Sequence, residues 1–182
     1  MLGGSPRPAC ARRARPESPA GAPGRATDAV ERAAAHAEPR EAARYLVAGA
    51  ESIEPFNTNR AGDLLERAIE LDAASIIAHA ALTRVTSELD RLDDAEHNAE
   101  MVLELLANSP RTVTGAVTGD TAEEESGDAL DSEQRLEVAL LGGRAARALG
   151  HRAASRRLFS AVLEIEADQI EALEGLAVAH FE

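Results

Sequence analysis

The chain has 182 residues, 45% of them hydrophobic and only 2% aromatic, with no Trp and a formal net charge of −13. That is enough apolar material for one compact domain or a short repeat array. With so few aromatics the core must be built of Ala, Leu, Ile and Val, which favours closely approaching helices over a sheet sandwich and predicts an all-α protein. An acid excess of this size repels nucleic-acid phosphates, whose binding needs Lys and Arg to release counterions.

Residues 1 to 27 hold five of the eight prolines and four glycines, and set Arg7, Arg12, Arg13, Arg15 and Arg25 against Glu17 alone. Neither helix nor strand propagates at that Pro and Gly density, so a disordered Arg/Pro-rich tail is expected. A start codon assigned too far upstream accounts for the same composition. All 19 basic residues are Arg, which fits a GC-rich coding sequence or a high-salt cytoplasm equally well. Cys10 stands alone, no apolar run near it has signal-peptide length, and no stretch reaches the ~18 apolar residues of a membrane helix. The expected location is cytoplasmic.

A short helix and linker are expected over residues 28 to 41. Asp28 and Glu31 have capping-box spacing at its start, and Pro39 marks its stop. From there apolar residues recur at helical spacing, as Leu64, Leu65, Ala68, Ile69 and Leu71, and again as Leu158, Phe159, Val162, Leu163 and Ile165. The phrases "AIELDAASIIAHAAL" and "VLEIEADQIEALEGL" repeat one another. Laying the chain on itself aligns Ala42 with Ile76 at a step of 34 residues, and Leu136 with Ile170 at the same step. Two helices and a turn fit that interval, giving hairpins over 42–75, 76–109 and 136–169, and a partial one over 170–182.

Such a chain resembles the tetratricopeptide repeat family, an α-solenoid of antiparallel helical hairpins. The family's large residue near the start of the first helix falls at Tyr45, His79 and Ala139, and its small packing position at Gly49, Thr83 and Gly143. The second-helix small positions fall at Ala61 and Ala68, Ala95 and Val102, and Ser155 and Val162. Gly150 stands at an inter-helix turn and Phe159 at the family's second-helix aromatic. The closing proline is replaced by Ala73, Ala107 and Ala167. Gly142 beside Gly143 in mid-helix costs roughly 1 kcal/mol per glycine relative to alanine, which makes that helix the expected weak point.

Residues 110 to 135 interrupt the array. Rich in Thr, Gly and acidic residues, they read as a mobile surface loop whose end, Asp131 with Gln134, caps the next helix. A calcium loop starting at Asp120 fails on spacing, with Ala122 at its third position and Glu125 where an EF-hand needs Gly. The five histidines His36, His79, His97, His151 and His180 share no metal-ligand spacing, and the pattern expects His79 and His180 to be buried. No nucleophile has a positioned base, so no enzyme, cofactor or metal is expected.

What the resemblance implies is a groove lined by first helices, and a non-catalytic adaptor that binds a protein or peptide there. The groove set includes Leu46, Ile77 and Leu140 as apolar contacts. Arg84, Arg144 and Arg147 could hold an acidic segment through bidentate bonds. Six arginines between 135 and 157 face only Glu137, so the alternative is that they neutralise Glu164, Glu166, Asp168, Glu171 and Glu174. The dicarboxylate clamp of chaperone-binding relatives needs basic and amide residues where this chain has Ala43, Leu46 and Ala50, so that role is not implied. The alternative function is a self-associating structural module, a homodimer formed through the C-terminal helix and its Phe181.

Overall fold

A computed structural model of the chain describes residues 22–108 and 130–181, with side chains from 27 to 108 and from 130 to 180. The described residues form eight α-helices and no strand. They are α1 (Ala22–Ala34), α2 (Pro39–Ile53), α3 (Thr58–Leu71), α4 (Ile76–Glu88), α5 (Leu92–Asn108), α6 (Ser132–Leu149), α7 (Arg152–Ile165) and α8 (Ile170–Phe181). Helices α2/α3, α4/α5 and α6/α7 are joined by short turns and pack as hairpins, and α8 packs on α7. The tail before residue 22 and most of the acidic loop lie outside the described residues.

Local chemistry places the boundaries. Asn57 accepts a hydrogen bond from the Arg60 amide and Ser75 one from the Ala78 amide. Asp131 and Gln134 form the expected reciprocal capping box at the start of α6. Each cap satisfies an otherwise orphaned amide, worth about 1 kcal/mol. Gly150 ends α6 with φ 77°, the left-handed conformation that a side chain disfavours.

Two expectations at the start are corrected. Helix α1 begins at Ala22 rather than at an Asp28 cap. Asp28 lies inside it, where its carbonyl accepts from Arg32 Nε. Pro23 does not prevent this, because it falls in the first turn, where the missing N–H would have had no partner. Pro39 does not close a helix; it opens α2, where its preset φ suits the first position.

Three clusters of buried side chains run along the stack: α1 to α4, then α4 to α7, then α6 to α8. Their joints depend on small residues. A Cβ at Gly142 would stand 2.3 Å from Ala99 Cβ on α5. One at Gly143 would come within 2.8 Å of the Phe159 ring, and one at Gly175 of α8 within 2.3 Å of the same ring. The glycine pair that weakens α6 as a helix is thus where α5 and Phe159 approach it.

Ion pairs bridge successive hairpins on the outside. Arg60 of α3 meets Glu31 of α1 at 2.6 Å, and Arg91 meets Glu66 of α3 at 2.9 Å. Arg157 of α7 bonds Glu100 of α5. Each is exposed enough to contribute no more than about 1 kcal/mol. His151, the residue before α7, places Nδ1 2.6 Å from Glu96 Oε2 on α5.

The glycine contacts give a paired prediction. Gly142→Ala destabilises the fold by about 1–3 kcal/mol, because the clashing partner is a Cβ fixed to its own backbone. Gly62→Ala meets only Val85 Cγ1 at 3.4 Å, an ordinary contact, and stabilises by up to about 1 kcal/mol through helix propensity. Urea denaturation of both variants checks the opposite signs.

A second prediction concerns pH. The hydrogen bond to Glu96, and then its charge, raise the His151 pKa above its ordinary 6.5. The folded state therefore holds the proton more tightly than the unfolded chain. The contact's stabilisation is complete below the unfolded pKa and is lost as pH rises through the raised folded value. Between about pH 6 and about pH 8 the melting temperature, followed by circular dichroism, falls further for the native chain than for His151→Gln.

Candidate functional site

The first helices of successive hairpins, α2, α4, α6 and α8, touch one another, whereas second helices meet less. The stack therefore curves with the first helices on its inner side. Helix α4 lies in the middle and is buried on nearly every face; Ile77, Arg84, Ser87 and Glu88 are among the few of its residues that retain exposure.

The predicted site residues are distributed unevenly over this face. Leu46 is 0% exposed and belongs to the first core cluster, and Leu140 is 9% exposed in the third. Neither presents surface to a ligand in this conformation. The reason is register: α2 starts at Pro39, and it turns Ala43, Leu46, Ala50 and Ile53 into the core while exposing Arg44, Tyr45, Ala48 and Glu51. Ile77 is part-buried and lines the cleft between α4 and α6.

Arg84 and Arg144 are already engaged. Arg84 donates from Nε and NH2 to the two oxygens of Glu54, at 2.9 and 2.7 Å. That hydrogen-bonded pair raises the guanidinium pKa, with Glu137 and Glu51 adding to the effect. Arg144 makes the same two-bond arrangement with Glu171 of α8, and Arg144 in turn lowers the Glu171 carboxyl pKa. Arg147 lies with its guanidinium carbon 6.0 Å from the centre of the Phe159 ring. The three arginines thus have three different partners, and two of them hold the chain's own carboxylates.

Between α2, α4 and α6 is a cleft lined by Glu51, Ile77, Ala80, Ala81, Arg84, Gln134, Glu137, Val138 and Leu141. Leu130, 4% exposed, also lines it and belongs to the second core cluster with Ala80 and Val138. Arg135 Nε holds the Leu130 carbonyl at 3.1 Å. About 30 Å³ remains beside it, room for a water but not for a side chain.

Sequence reasoning placed Leu130 in a surface loop. The overlooked signal was a single large apolar residue immediately before the Asp131 cap, the position from which a side chain can fold back against the helix it introduces. Glu51, Glu54 and Glu137 were missed because one-dimensional charge counting does not show which carboxylate meets which arginine.

The histidines behave differently from one another. His79 is buried, with Nδ1 2.7 Å from Asn98 Oδ1 and Nε2 3.2 Å from the Ala73 carbonyl. His180, expected to be buried, is exposed, because α8 turns that face away from α7. Among the described residues no group of His, Cys, Asp and Glu has the arrangement of a metal site, and no helix is long and apolar enough to cross a membrane.

No protein-family model and no curated protein matches the chain. Solved structures do. The first tetratricopeptide (TPR) domain of Spaghetti (RPAP3), bound to the HSP90 peptide SRMEEVD, is 15% identical and aligns over 78% of this chain and 92% of its own, with a TM-score of 0.54. The Arabidopsis OM64 TPR domain is 14% identical over 78% of this chain and 96% of its own, with a TM-score of 0.53. At these identities the likeness is one of fold, and it shows that this chain has the fold of a tetratricopeptide-repeat solenoid.

Proposed function

We propose that the chain is a non-catalytic adaptor that receives a segment of a partner protein on the face lined by α2, α4, α6 and α8, in a cytoplasmic setting. The observation that carries this reading is the seating of Leu130. The non-helical Leu130 packs in one cluster with Ala80 of α4 and Val138 of α6, which supports a face that receives an aliphatic group from a non-helical segment. The likeness to a domain bound to a peptide supports the same reading. The clamp positions Ala43, Leu46 and Ala50 are buried here, so a different set of contacts is required.

Of the candidate contacts, Ile77, Arg84, Arg144 and Arg147 retain exposed surface. An acidic segment, the expectation from charge counting, would have to exchange with Glu54 and Glu171 for the guanidinium groups. Leu46 and Leu140 are buried in the core, and Arg147 lies over the Phe159 ring.

The reading is tested by affinity capture from native lysate. The bait is compared with a chain carrying Ala48→Arg and Ala148→Arg, two exposed positions on first helices, after circular dichroism confirms equal helicity. A partner taken by the native chain and lost by the variant is expected. An identical catch, or the bait alone, removes the groove as the site.

A second reading has its own observation. Helix α8 leaves Ile170 71%, Leu173 47% and Val178 41% exposed, an apolar surface suited to a second copy; the Phe181 side chain lies outside the described residues. On this reading light scattering gives a mass that rises with concentration, and Ile170→Glu with Leu173→Glu returns it to the monomer. A concentration-independent monomer mass for the native chain eliminates it.

A further inference from the structure

The cleft that holds Leu130 has an apolar floor and a charged rim. Leu130 shares its core cluster with Ala80 and Val138, and Ile77 packs against that cluster; the same cleft is lined by Glu51 from α2, Arg84 from α4 and Glu137 from α6. Arg84 donates from both Nε and NH2 to Glu54. Three carboxylates thus act on the Arg84 guanidinium, and even with Arg135, whose Nε holds the Leu130 carbonyl, the charge about the cleft is net negative.

We propose that Leu130 is an internal occupant of the partner site, and that the partner segment displacing it carries a leucine-sized aliphatic side chain flanked by a cationic residue. The inference rests on the adaptor reading and names its partner's chemistry. Leucine is the side chain the seat demonstrably fits. A cation is what Glu51 and Glu137 can pair with while Glu54 keeps Arg84 occupied; an anion would meet like charge at the same place.

Leu130 can leave without unmaking α6. The cap is closed by Asp131 and Gln134 on each other's backbone amides, and the leucine contributes only its carbonyl, to Arg135. Its tether gives it a high effective concentration at the seat. The apparent affinity for a partner is lowered by the fraction of chains whose seat is empty.

The test is fluorescence anisotropy with labelled nine-residue peptides against the full chain. One peptide has a central leucine flanked by arginines, the second a central leucine flanked by glutamates, and the third a central serine flanked by arginines. The third controls for general attraction to an acidic protein. The Arg-flanked leucine peptide is expected to bind, and Leu130→Ala to tighten it by about ten- to a hundredfold, the worth of one buried leucine. Adding Glu51→Gln and Glu137→Gln is expected to weaken it again, and the serine peptide to bind far less.

Three results overturn the proposal: equal or tighter binding of the Glu-flanked peptide, an affinity that Leu130→Ala leaves unchanged, or no binding of any peptide to either chain. If Leu130→Ala loses helical signal, Leu130→Val carries the same comparison with a smaller factor. A partner lost through Ala48→Arg and Ala148→Arg, together with a preference for glutamate flanks, discards the cationic partner and keeps the adaptor. Loss of neither discards both.

Discussion

Phe159 is fully buried because two glycines leave it room, Gly143 on α6 and Gly175 on α8, each of which would drive a Cβ into its ring. Among the described residues it is the only buried phenylalanine, since Phe56 is 74% exposed. The ring fills the space where α6, α7 and α8 meet. A side chain at either glycine would have to displace the ring. The same device recurs with smaller parts at the preceding joint, where Gly142 of α6 meets Ala99 of α5. A solenoid with almost no aromatics buries enough surface only if its helices come close, and its small residues stand at the joints where that approach is tightest.

Close packing also determines where charge can go. With the small and apolar residues consumed at the joints, the arginines are left on the rims of helices, opposite carboxylates of the neighbouring hairpin. Arg60 with Glu31, Arg84 with Glu54, Arg91 with Glu66, Arg144 with Glu171 and Arg157 with Glu100 follow this pattern along the stack. In a chain of net charge −13 carboxylates outnumber guanidinium groups. Arginines on the inner face are therefore largely taken before any ligand arrives, and what is left over is negative.

This explains which parts of the molecule were legible in the sequence. Gly150 at the turn and the Asp131 cap are local signals, and each appears where it was expected. Position within a helix was harder to read. Ala-rich helices offer several faces of similar hydropathy, so a shift in register placed Leu46 on the groove when it packs in the core. Pro39 can end or begin a helix, and only the packing of α2 against α1 decides between them. The pairings of Arg84 and Arg144 join residues about thirty positions apart, which no one-dimensional pattern records.

Leu130 shows most clearly why the inner face was misread. In sequence it is one leucine within an acidic run; in three dimensions it completes the core cluster between α4 and α6. Without it, Ile77, Ala80 and Val138 would lose an apolar partner on their open side and the face would carry an exposed hydrophobic seat ringed by carboxylates. Its presence satisfies the apolar floor but leaves Glu51 and Glu137 at the rim without a bond to Arg84. The seat is therefore complete for packing and incomplete for charge. That difference is what a partner can exploit: a segment supplying both the aliphatic group and the missing cation makes every contact Leu130 makes and adds the ones it cannot.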